Sequence, residues 1–382
     1  MTREMLLGLS GIPYFLDFIR RRLNGRDGIK ADCPFQAAEQ KSAAAPIAAI
    51  QVRKLLCRKP PFVLSEHCCK NAGDIVRYMD EEGYFLAIRA LGNHHTVEID
   101  QPRFEEIQNA SVNLDHVLDL ENLWAAVILN YFDLEKGLLE AAARHMIMTD
   151  YDWQSLHDLQ LSFAVRLANL LSSCRAYLDQ TVQHLGKLEP NCDDAKAFKD
   201  ARSHEYDTRL GYRFMEAMRN YSQHHGLPLH GTSYGTKRQA PDALEYFVAT
   251  NIDMDQLRGD SKFKQTVLQE ITHQKLSAEP LIREYIAGLS SVHMGLRKRL
   301  EDRVANWIEL IRGAIAQHVD SSPEGKKTPG LCAMQLGKGH EWLQTVHLGE
   351  DLLQRVEILQ RRHGSLEMMP SSFVSSAPRP QK

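Results

Sequence analysis

The chain has 382 residues, 43% hydrophobic and 25% charged, a composition that can bury a sizeable core and that excludes bulk disorder. Its 46 Lys and Arg stand against 49 Asp and Glu for a formal charge of −3, which excludes a globally basic surface for nucleic acid or membrane, so any polyanion site has to be a local patch. Seven cysteines without a CxxC pair, in a chain long enough to need no covalent staples, point to reduced thiols, a cytoplasmic setting and no disulfide.

The first element in chain order is the apolar run Met5–Ile19. It is too short to span a bilayer, and its arginines, Arg20 to Arg22, follow the run where a secretory signal would place them before it. It reads as a buried amphipathic helix, with no membrane partner. Two short strand-like runs follow, Tyr84–Arg89 and Thr96–Asp100, separated by the Gly92-Asn93 turn signal, and predict a small hairpin. Residues 1–110 are therefore expected to form a small N-terminal α+β region of unknown role.

From residue 115 the apolar spacing changes to a period near 3.6. Leu156, Phe163, Leu167, Leu170, Cys174, Leu178 and Leu185 form one stripe, stopped by Gly186 and Pro190. Leu281, Tyr285, Leu289, Val292, Leu296, Val304, Trp307, Ile311 and Ile315 form a second. Stripes of this length suit helices that pack along their whole faces. The expected fold is mainly α: a helical bundle over 115–364 with long helices, interrupted by an inserted β-hairpin near 229–249. Ser321–Gly339 reads as a loop, 341–362 as a last helix, and 365–382 as a Ser- and Pro-rich disordered tail.

The densest local chemistry lies in Glu205–His230. Tyr206, Leu210, Phe214, Met218 and Tyr221 fall near one helical face, and Gly226 with Pro228 stops the helix just after His224-His225. Asn220 and His224 are one turn apart on a shared face, and the long side chain of Arg219 reaches the same volume. The three can converge on one phosphate. A His in the last turn is biased towards its cation by the carbonyl end of the helix, which suits proton transfer. Arg202, Arg209, Arg213, Lys237 and Arg238 flank the motif and supply the local basic patch that a phosphate substrate needs.

Arg219-Asn220-Tyr221-Ser222-Gln223-His224 resembles the signature of HEPN domains, helical bundles marked by an Arg, a polar residue, a short spacer and a His. The resemblance implies a metal-independent endoribonuclease of the toxin–antitoxin, anti-phage or RNA-processing kind. It also implies a composite site across a homodimer, RNA as substrate and an antitoxin as a partner. Arg219, Asn220 and His224 would be catalytic, with no cofactor and no metal. Arg89 and Arg312 also precede a His at similar spacing, but Ala90 and Gly313 follow them, and neither pair sits at a helix end with a Gly-Pro stop. The inserted hairpin departs from a minimal HEPN bundle.

A structural alternative stands beside this reading. Glu216 lies three residues before Arg219, so the two can form a surface ion pair, with His224 as a cap for helix carbonyls. On that reading the protein is a non-catalytic helical interaction module. No Walker loop, HExxH, GxSxG or dinucleotide fingerprint occurs. Asp150 and Asp152 before Trp153 suit a helix cap better than a carboxylate pair.

Overall fold

A computed structural model describes residues 82–90, 95–148, 152–188, 192–241, 243–323, 329–338 and 341–374, so the helix expected at Met5–Ile19 lies outside the described residues. The fold is mainly α, with eight helices and two small antiparallel sheets among the described residues.

The bundle begins with α1 (Gln101–Ile147), whose first free N–H groups are met by Asp100, which accepts from Arg103 N–H at 2.9 Å, with a proline in the first turn. It starts earlier than residue 115 because this cap is strong. The next helix, α2 (Trp153–Leu185), is capped by Asp152, which accepts from Ser155 N–H at 2.6 Å, and it ends where Gly186 follows. The cap bond to Ser155 also holds the exposed Asp152 carboxyl below its ordinary range. Contacts between Asp133 and Arg166 and between His116 and His184 set α1 and α2 antiparallel. Their facing stripes bury Trp124, Phe163, Leu167, Leu170 and Tyr177 almost completely. Each such side chain contributes roughly 1.5–3 kcal/mol of transfer free energy.

The Glu205–His230 region does not form one helix. It divides into α3 (Asp194–Thr208) and α4 (Leu210–His224) at Arg209, which is extended at φ −115° and ψ 120°. The break lets Gly211 press against the first turn of the helix that begins at Ala278: a Cβ there would stand 2.6 Å from the Leu281 carbonyl oxygen. Its N–H donates to Glu284 at 2.8 Å.

The hairpin is β3 (Gly231–Ala240) with β4 (Ala243–Asp253), close to the expected position. Two short helices follow, α5 (Met254–Gly259) and α6 (Gln265–Gln269), and β5 (Lys275–Ser277) adds a third strand beside β4. The central helix α7 (Ala278–Ser321) then packs on α1, α3 and α4 and buries the second stripe from Leu281 to Ile315.

Three expectations near the C-terminus are corrected. Within the segment read as a loop, Leu331–Leu336 is a buried strand, β6, and the helix expected from 341 begins only at α8 (Glu350–Arg362), after strand β7 (Trp342–His347). Together with β1 (Gly83–Ile88) and β2 (Thr96–Ile99) these form one antiparallel sheet in the order β2-β1-β6-β7, with Phe85 opposite Met334. Residues 83–99 thus belong to the same body as the bundle and not to a separate N-terminal region. The first part of the expected tail is also ordered. Leu366 N–H donates to Ser290 Oγ at 2.8 Å, a 3₁₀ turn covers Met369–Ser371, and Arg283 donates to the Ser372 carbonyl at 3.3 Å.

Candidate active site at the end of helix α4

Helix α4 is strongly two-faced, with Tyr212, Phe214, Met215, Ala217 and Met218 buried and Arg213, Glu216, Arg219 and Asn220 on the other side. It closes when His225 N–H donates to the Tyr221 carbonyl at 2.8 Å. The Tyr221 ring then stacks on His225 and meets His230 and Phe263 edge-on, with centroids 6.0–6.1 Å away. A Cβ at Gly226 would stand 2.9 Å from the Tyr221 hydroxyl, so the chain can fold back over this ring only because residue 226 has no side chain.

Arg219 is half-buried and donates from Nη1 to Asn220 Oδ1 at 2.9 Å. Its Nε is buried without a hydrogen-bond partner. Burial and the neighbouring Arg175 lower its pKa, opposed by Glu216 and Asp179; an arginine stays cationic regardless. The Glu216–Arg219 ion pair expected on the structural alternative is replaced by other bonds. Glu216 accepts from the Tyr285 hydroxyl at 2.6 Å and lies 3.9 Å from Arg175 and 4.0 Å from Arg202. Two guanidiniums, from α2 and α3, therefore stand beside one carboxylate, and Arg219 is turned toward Asn220.

The two histidines at the helix end differ. His224 is exposed. His225 Nδ1 lies 3.5 Å from Asp260 Oδ2, which ties the end of α4 to the segment after α5. His230, just beyond, accepts from Asp253 N–H at 3.0 Å through Nδ1, and burial lowers its pKa, so it is a neutral ring that fixes the start of the hairpin.

The expected substrate-binding cations are not gathered with this group. Arg213 bonds Glu270 and donates to the carbonyls of Tyr206 at 2.9 Å and Asp207 at 2.7 Å, so its fork clamps the α3–α4 break. Its bond to Glu270 raises its pKa further. Lys237 and Arg238 are exposed on β3, and Arg238 donates to the Pro241 carbonyl within its own turn. The hairpin that carries these two cations packs on α1, where Tyr234 stacks on His145 in the last turn at 4.6 Å, and on α2 and α7. In their place stand Arg202, which the sequence already placed among the basic residues flanking the motif, and Arg175, which it did not single out. Arg175 follows the core residue Cys174 on α2, and only the packing of α2 and α3 against α4 reveals it.

No protein-family model, curated protein or solved structure matches this chain. No helix among the described residues is long and apolar enough to cross a membrane.

Proposed function

We propose that the protein is a HEPN-like, metal-independent endoribonuclease, of the kind used as a toxin or anti-phage effector. The observation that carries this reading is the end of α4, where the Arg219 guanidinium rests on Asn220 while His224 stands exposed one turn further on. A scissile phosphate that replaced Asn220 Oδ1 as the partner of Arg219 Nη1 would meet a cation already half-desolvated, where charge stabilisation exceeds that in water. The 2′-hydroxyl oxygen attacks phosphorus and loses its proton, and the bond to the 5′-oxygen breaks as that oxygen gains one. His224 moves one of these protons. The products are a 2′,3′-cyclic phosphate and a 5′-hydroxyl, and DNA, which lacks the nucleophile, is not cut. A second copy of the chain facing the first across this helix end would complete the site, and an antitoxin would neutralise it by covering the same surface.

Purified full-length protein with RNA in EDTA is the test. Cleavage is expected, and Arg219→Ala and His224→Ala are each expected to remove it while the melting temperature holds. RNA left intact by the wild-type chain, or cut equally well by both variants, overturns the reading.

One observation favours the second reading, a non-catalytic interaction module. Leu129, Phe132 and Leu139 on α1 and Leu161 and Val165 on α2 are large apolar side chains left exposed on the two longest antiparallel helices of the N-terminal half of the bundle.

A further inference from the structure

Among the described residues, a second cluster of chemistry lies on a different pair of helices, between α1 and the last turn of α2. His116 and Asp119 are one turn apart on α1, an i,i+3 spacing that puts both on one side of the helix. The antiparallel packing of α2 brings His184 to the same place. His184 Nδ1 lies 3.3 Å from His116 Nδ1 and 3.7 Å from Asp119 Oδ2, and the three ligand atoms all fall within 4.8 Å of one another.

We propose that His116, Asp119 and His184 form a binding site for a divalent transition-metal ion of the zinc class, with the remaining coordination position open to solvent. Zinc binds imidazole nitrogen at about 2.0 Å, so two ligand atoms on a tetrahedral ion stand about 3.3 Å apart, the separation found between the two Nδ1 atoms. The carboxylate at 3.7 Å needs only a small closing movement of an exposed side chain. Two imidazoles and one carboxylate are the donor set suited to zinc, cobalt or nickel and unsuited to calcium or magnesium, which require oxygen.

The electrostatics point the same way. Asp115 lies one turn before Asp119, and this like-charge i,i+4 pair flanks His116. A bound cation relieves this repulsion. The half-buried imidazoles and the half-exposed Asp119 leave a path for the ion to enter. Once bound, the ion staples the end of α2 to α1.

The test uses the full chain, stripped with chelator, dialysed and titrated calorimetrically with Zn²⁺ alone. One equivalent is expected to bind, with a rise in melting temperature as the folded state takes up metal. His116→Ala and His184→Ala should each weaken binding about tenfold or more, because each removes one of three ligands. Asp119→Asn should weaken it as well, and this exposed side chain can change without cost to the fold. His157→Ala, an exposed histidine elsewhere on α2, should leave binding as it was. Absence of binding overturns the proposal. So does binding that persists undiminished in both ligand-histidine variants and in Asp119→Asn, since the ion would then be held elsewhere.

Discussion

Two polar clusters in this bundle use similar residue types to opposite ends. In the core, Glu121 on α1 is met by a two-pronged contact from Arg297 on α7, with Nε at 2.8 Å, and His293 Nε2 stands 3.6 Å away. Tyr177 completes the set by donating to His293 Nδ1 at 3.0 Å, and Arg297 Nη1 donates to the carbonyls of Gln360, at 3.3 Å, and His363, at 2.6 Å. Every charge there is answered by protein. At the end of α4, Arg219 has only an amide oxygen for a partner and His224 is exposed. Groups locked into a closed network hold helices together, whereas a half-desolvated cation with a weak neutral partner is free to accept a phosphate.

The sharpest way to break this contrast is Arg297→Ala. Glu121 is 2% exposed, so removing its guanidinium partner leaves a buried charge with little compensation and should cost about 3–5 kcal/mol, a fall in melting temperature of many degrees. The same pair sets a pH signature. Burial alone would raise the Glu121 carboxyl, but the nearby His293 and the hydrogen bonds from Arg297 hold it down at about 2. A carboxylate with a depressed folded pKa contributes stability that is fully present above its unfolded value of 4.5 and is lost as pH falls toward 2, here about 3 kcal/mol. Denaturant midpoints measured across that window should drop in the wild type and show a shallower slope in Arg297→Ala. An unchanged slope would mean that other carboxylates carry the acid sensitivity.

What could be read before the structure, and what could not, follows the same division between local and long-range order. The two long apolar stripes were legible because a helix writes its buried face into its own 3.6-residue spacing, and α2 and α7 occupy those stripes. The Asp152 cap was legible for the same reason. Strand β6 was not. Its run from Leu331 to Leu336 is short, lies between Gly and Lys residues that suggest a loop, and becomes a central strand by pairing with β7 on one side and, on the other, with β1 some 250 residues earlier. The site divides likewise. The order Arg219-Asn220 and the position of His224 are local and could be read, as could the helix stop at Gly226. The diversion of Glu216 to Tyr285, Arg175 and Arg202 depends on three other helices, and the use of Arg213 as a clamp depends on Glu270, 57 residues away.

A smaller effect sharpens the comparison at the chain's end. Truncation after Gly364 removes the Leu366 bond to Ser290, the Arg283 bond to Ser372, and the apolar contacts of Leu366 and Met369 with the core. Ser290 is buried, so its hydroxyl is left without that partner. The expected loss is about 1–3 kcal/mol, read as a lower denaturant midpoint. A truncated chain as stable as the whole would show that the docking of these residues contributes nothing net.

The smallest expected effect on stability comes from the two adjacent histidines, and it separates the open cluster from its support. His225 and Asp260 are both partly exposed, so His225→Ala should cost about 1 kcal/mol or less, the ordinary value of such a pair. His224 has no such tie to hold, and His224→Ala should shift stability by less still. RNA cleavage should reverse the order. One residue along a helix rotates a side chain by about 100°, which takes His225 to Asp260 and leaves His224 on the side of Asn220. His224→Ala should therefore abolish cleavage, and His225→Ala should keep most of it. If His225→Ala is instead the inactive variant and His224→Ala cuts RNA normally, then the proton is moved by the histidine that Asp260 orients, and the exposed one is only the end of a helix.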